Sequence, residues 1–128
     1  MIERLTIAKH ETVSGRFVRK YIKDIPSEFV GGELYSTEIG SGEFRGWKRH
    51  KANCVVLICV LGKAEVLLPE LKQKIELEPD FGGLVIHPLT IFGFVGVADI
   101  STFVSLASGA WAIEEIENIP ESEYGLEW

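Results

Sequence analysis

Short runs of β-branched and aromatic residues recur about every ten positions along this chain, and glycines separate them. The runs VVLICVL, KAEVLL, GGLVIHP, IFGFVGV and ISTFVSLA all have the length and composition of strands. Gly31-Gly32, Gly40, Gly42, Gly62, Gly82-Gly83, Gly93 and Gly96 fall between or beside them. Strands this short and this regularly spaced cannot bury themselves singly, so an all-β sandwich or barrel is the expected architecture. VVLICVLGKAEVLL reads as two strands meeting in a tight hairpin near Leu61-Gly62-Lys63. LPELKQKIELEPD reads as a polar turn followed by a strand with Ile75 and Leu77 on one face. The one helical candidate is short, within 110–117, and Glu114, Glu115 and Glu117 near its end oppose the helix dipole.

In GGELYSTEIG a period of two places Glu33, Tyr35 and Thr37 together on one face. Two readings are open there. The face is either the solvent side of an edge strand or the polar lining of a cavity inside a small barrel, where such folds hold ligands.

The 128 residues suit a single domain with one core. The net charge of −6 is unevenly placed: Glu114, Glu115, Glu117, Glu121, Glu123 and Glu127 crowd the last fifteen residues, which hold no Lys or Arg. The preceding body has as many acids as bases, which gives no electrostatic footing for nucleic acid. The start, MIERLTIAKHE, is too charged for a secretory leader. No apolar run nears the roughly 20 residues of a membrane helix. A cytoplasmic location with no membrane partner is therefore expected. Cys54 and Cys59 lie too far apart along an extended strand to pair and read as buried thiols.

The block GEFRGWKRHK, followed by VVLICVLGKAEVLL, GLVIHPLTIFGF and VSLAS, resembles the cupin-fold deoxysugar enzymes. Two groups are similar: the dTDP-4-dehydrorhamnose 3,5-epimerases, with an RG-L-H-Y-Q block, and the dTDP-4-keto-6-deoxyglucose 3,4-ketoisomerases, with RG-[FW]-H-A-H-K. The resemblance spans roughly residues 10–112 and implies an antiparallel jelly-roll barrel, with an acidic tail over 113–128. It implies a nucleotide-sugar ligand, a homodimer, no cofactor and a role in polysaccharide or antibiotic sugar synthesis. By the same resemblance Arg45 and Arg16 meet the nucleotide sugar, Glu33, Tyr35 and Thr37 lie on the strand lining the sugar site, and His50 matches the second histidine of the H-x-H pair. Trp47, beside this proposed pocket, has a flat ring that can stack on a sugar or pack at a dimer interface.

The departures fall on the chemistry. The first histidine of the pair is Lys48 here, the histidine of the A-H-G-F block is Phe92, and the tyrosine of the epimerases falls near Ala110. Removing a proton beside a ketone is easiest for a base that titrates near the working pH, as an ordinary imidazole does. Lysine starts near about 10.4 and would have to fall by about three pH units. His50 is thus the candidate acid/base and Lys48 either a second base or an anchor for anionic groups. His87, before Pro88, reads as structural, and no partner suggests itself for His10. Of the four positions that bind a metal in many cupins, only His50 keeps a ligand, so no metal is expected. The alternative to an isomerase is a non-catalytic cupin that binds a sugar nucleotide or another small anion as a regulator or accessory subunit.

Overall fold

The computed structural model describes residues 2–11, 18–22, 26–29, 32–109 and 113–125, with residues 10, 11, 18–21 and 113 described in backbone only. Nearly all of the regular structure is strand. β1 (Ile2–Leu5) leads into a two-stranded ribbon of β2 (Ile7–Glu11) and β3 (Val18–Ile22). Then follow β4 (Glu33–Gly40), β5 (Phe44–His50), β6 (Val55–Leu61), β7 (Ala64–Leu68), β8 (Gln73–Leu77), β9 (Gly83–Ile86), β10 (Phe92–Gly96), β11 (Ile100–Ala107) and β12 (Ile116–Asn118). Two five-stranded antiparallel sheets result, ordered β1-β9-β6-β11-β4 and β12-β5-β10-β7-β8. They face each other as the expected jelly-roll barrel.

The core lies between the sheets. Ile39, Val55, Leu57, Cys59, Leu84, Ile86 and Phe103 come from one sheet, and Val66, Leu68, Leu77, Phe92 and Phe94 from the other. Period-two alternation explains who faces inward: on β11, Ser101, Phe103, Ser105 and Ala107 are buried and their neighbours are not. A second cluster, of Leu5, Phe29, Cys54, Val56 and Val85, covers the outside of the first sheet. Both cysteines are buried and free, as expected.

Two sequence expectations are corrected. Gly62 does not close a hairpin: β6 pairs with β9 and β11, β7 with β8 and β10, so the turn carries the chain from one sheet to the other. Gly62 has φ of 83°, and a side chain there would run into the Ile100 carbonyl. Ser101, fully buried, fastens the crossing: its hydroxyl accepts from Lys63 N–H at 3.0 Å and donates to Lys63 C=O at 2.7 Å. The true hairpin is β7–β8, across the polar turn.

The expected helix near 110–117 is also absent from its described part. Residues 113–115 form one 3-10 turn, and 116–118 are strand. An α-helix there would set three carboxylates against its C-terminal dipole, whereas strand β12 gains pairing with the edge of β5. Strand structure consequently extends beyond 10–112 at both ends, into β1 and into the acidic segment.

Candidate functional site

The site is built on β5 and its neighbours. β5 is not a regular strand. Lys48 pairs with Phe92 and Arg45 with Phe94, so Gly46 and Trp47 together stand opposite Gly93. This bulge changes the parity of the strand. Strict alternation would put Arg45 on the face opposite Lys48 and His50; the bulge returns it to theirs. It also sends Phe44 to the outside, where alternation with Lys48 already places Trp47, and the two rings meet edge to face at 5.1 Å. Gly93 makes room, since a Cβ there would lie 2.9 Å from the Arg45 carbonyl and 3.0 Å from each of the two rings.

Trp47 therefore lies away from the lumen. It is 1% exposed, packs with Leu67, Ile91 and Tyr124, and donates its indole N–H to the Glu121 carbonyl at 3.2 Å. Neither a sugar in the barrel nor a partner subunit can reach the face of that ring, and it has no part in the site.

The inward face carries the others. Tyr35, Thr37, Lys48 and Ser105, with Leu57, Phe92, Phe94 and Phe103, enclose a pocket of only about 10 Å³, room for roughly one water. The hydrocarbon rings fill the depth of the barrel. Above it, Glu33, Tyr35, Lys48 and Ile116 wall an open cavity of about 320 Å³, within the range of about 300–1,000 Å³ that small-molecule sites occupy. The polar face of β4 thus lines a cavity instead of facing bulk solvent. Arg45 is exposed on the same face of β5 as Lys48. Arg16 lies outside the described residues, as do Ala110 and Trp111.

Lys48 borders both the narrow pocket and the open cavity. Its Nζ stands 5.5 Å and 5.8 Å from the ring centres of Phe92 and Phe94. Burial, and after it the Arg45 guanidinium, push its amine below the ordinary lysine value. Burial pushes the Tyr35 phenol up; a hydrogen bond with Ser105 works against this, and the Glu115 and Glu33 carboxylates add to it.

His50 is 4% exposed and lies behind this wall, its ring almost parallel to that of Phe92 at 6.1 Å. It borders neither cavity. Its Nδ1 lies 2.8 Å from a Glu115 carboxylate oxygen, while Nε2 is buried with no hydrogen-bond partner among the described residues. With the carboxylate accepting from Nδ1–H, the lone pair resides on Nε2. The other oxygen of Glu115 accepts from the N–H groups of Ala52 and Asn53 at 2.9 Å and 2.8 Å, so one carboxylate ties the β5–β6 connection to the histidine. Burial alone would raise the Glu115 carboxyl. The two backbone N–H groups and then His50 outweigh it and hold the group below the usual carboxylate range.

Glu115 is the residue that sequence reasoning missed. Pairing of Ile116 with His50 brings it into place, from 65 positions away. The only available signal was the dense cluster of glutamates, which reads equally well as a solvated tail.

His87 stands elsewhere, on the outer cluster, with Nδ1 3.2 Å from the Cys54 sulfur and Nε2 3.8 Å from Glu3. The His10 backbone lies in β2, and its side chain is outside the description. Among the described residues no three His, Cys, Asp or Glu side chains gather as a metal-binding set.

The fold is that of solved cupin-type deoxysugar ketoisomerases and epimerases. The sugar 3,4-ketoisomerase QdtA of Thermoanaerobacterium thermosaccharolyticum, solved with TDP, superposes at a TM-score of 0.75, with 22% identity, over 91% of this chain and 86% of that one. The TDP-quinovose 3,4-ketoisomerase WlaRB of Campylobacter jejuni gives 0.76 and 21% over 92% of each chain. ChmJ, a 3'-monoepimerase of Streptomyces bikiniensis solved with dTDP-quinovose, gives 0.77 and 12% over 99% of this chain and 74% of that one. Likeness at these identities establishes the shared fold. No family model and no curated protein sequence matches the chain.

Proposed function

We propose that this protein is a nucleotide-sugar epimerase or ketoisomerase acting on a dTDP-4-keto-6-deoxyhexose. The observation that carries the reading is the 320 Å³ cavity walled by Glu33, Tyr35 and Lys48, at the open end of a barrel shared with enzymes solved with TDP and dTDP-quinovose. Isomerisation next to a ketone needs a proton acceptor, a group that returns the proton, and donors for the enolate oxygen.

His50, held by Glu115 with its basic nitrogen on Nε2, is the acid/base. Phe92 lies against it, so the bound sugar must displace that ring for Nε2 to reach the carbon acid. Tyr35, protonated through the ordinary pH range, donates to the ligand oxygens, as does Thr37 below it. Arg45, exposed on the same face, meets the nucleotide phosphates, and Arg16 is assigned the same role by resemblance. Among the described residues no helix is long and apolar enough to cross a membrane. We place the protein in the cytoplasm, as a homodimer, in the synthesis of a polysaccharide or antibiotic sugar.

Incubation with dTDP-4-keto-6-deoxyglucose in deuterated water tests the reading. Deuterium entering next to the ketone is expected; a sugar that binds and acquires none identifies a non-catalytic sugar-nucleotide binder. A thermal melt unchanged by dTDP and its sugars removes both readings.

A further inference from the structure

We infer that Lys48 is a covalent catalyst, forming an iminium with the keto carbon of the ligand. The inference rests on the proposed function and changes its chemistry: the lysine that replaces the first histidine becomes the electron sink, and His50 moves protons for it.

The placement of the amine is the ground. Of the cationic side chains on the inward face of β5, Lys48 alone borders both the open cavity and the narrow pocket beneath it. Leu57, Phe92, Phe94 and Phe103 surround the lower pocket, and among the described residues no carboxylate forms an ion pair with Lys48. A lysine serving as a phosphate anchor needs its charge, and an apolar enclosure beside a second cation works against that charge. The same surroundings suit a neutral amine. Burial and Arg45 both shift Lys48 in that direction, and a neutral amine attacks ketones. Glu33 and Tyr35 wall the same cavity, and the Tyr35 phenol is assigned to donate to the carbonyl oxygen.

The steps balance without any co-reactant beyond water. The Nζ lone pair forms a C–N bond, the C=O π pair moves to oxygen, and an N–H proton follows it to give the carbinolamine. The C–O bond then breaks, with the Tyr35 proton, to release water and leave the iminium. A neighbouring C–H proton passes to His50 Nε2 and its electron pair neutralises the iminium as an enamine. Returning the proton to the same carbon, from either face, restores the iminium; water then adds, the C–N bond breaks, Tyr35 recovers its proton, and the ketone, epimerised at that neighbouring carbon, leaves with the amine free. No oxidation or reduction takes place.

The test is trapping. The full chain is incubated with dTDP-4-keto-6-deoxyglucose and cyanoborohydride, which reduces iminium ions in preference to ketones, and adducts are located by peptide mass spectrometry. The expected result is about one adduct per chain, on Lys48, reduced at least about ten-fold in both Lys48→Arg and Lys48→Met. Thermal melts establish that each variant is folded; the methionine matches the apolar walls if the arginine does not fit. The deuterium experiment runs in parallel. Deuterium incorporation without any adduct, or with an adduct on another lysine, overturns the iminium and leaves the isomerase reading intact. Absence of both deuterium and adduct overturns the two together.

Discussion

Glu115→Gln isolates the contact on which the proposed acid/base chemistry depends. The substitution keeps an oxygen to accept from the N–H groups of Ala52 and Asn53, and it replaces the oxygen facing His50 with an amide nitrogen. The lost interaction is a charged acceptor 2.8 Å from Nδ1, with the two side chains 12% and 4% exposed. Hydrogen bonds to charged groups contribute about 1.5–3 kcal/mol, so a loss of about 2 kcal/mol is expected at neutral pH. In a domain of this size that lowers the melting temperature by roughly 6–12 °C. The pH dependence has a definite sign. Because Glu115 is held below its ordinary value in the folded chain, its contribution is complete above the pH at which an unfolded glutamate titrates, about 4.3, and fades as acid protonates the folded group. The gap between wild type and variant should narrow as the pH falls below about 4.3. The amide also donates to Nδ1, moving the ring proton to Nε2, which ¹⁵N shifts of His50 report directly. A base with its proton on the wrong nitrogen should lose about 10²–10⁴ in deuterium exchange. Equal stability at pH 7, a gap indifferent to acid, or an unchanged tautomer would each refute the argument.

Three further substitutions check the architecture. Trp47→Ala should cost about 3–5 kcal/mol in denaturant unfolding while the folded fraction binds dTDP as before, because the ring packs outside the barrel. Gly96→Ala places a Cβ against the Gly40 carbonyl, where β10 passes close to the end of β4, and should cost about 1–3 kcal/mol in the same assay. Leu89→Gly should stabilise by about 0.5–1 kcal/mol: Leu89 has φ of 67° with its side chain 58% exposed, so glycine relieves strain at little loss of burial, and the 2.8 Å bond from its N–H to the His50 carbonyl survives.

Much of this barrel is visible in local pattern. Each strand run carries its own signature of β-branched and aromatic residues, and the alternation of Glu33, Tyr35 and Thr37 holds without exception along β4, down to buried Ile39. The failures have a common cause. At Gly62 the residues are those of a hairpin turn, and whether the arms pair with each other or with strands of two different sheets depends on partners far along the chain. At Gly46-Trp47 one extra residue reverses inside and outside, and nothing in FRGWKRH marks which residue is surplus until Gly93 stands opposite. Arg45, placed at the pocket by resemblance, reaches that face only through the bulge, whereas Trp47 read as part of the pocket although alternation with Lys48 and His50 already turns it outward.

The amino-acid sequence by itself determined that the chain forms short antiparallel strands, that their inner faces make one hydrocarbon core, and that Lys48 and His50 share a side of β5, since these follow from composition and a period of two. Only the tertiary structure decided that Glu115 holds His50, that phenylalanines fill the depth of the barrel, and that Lys48 rather than His50 meets the open cavity. Those facts are contacts between strands remote in sequence, and their energies depend on distance and burial in the assembled barrel, which no local stretch of the chain encodes.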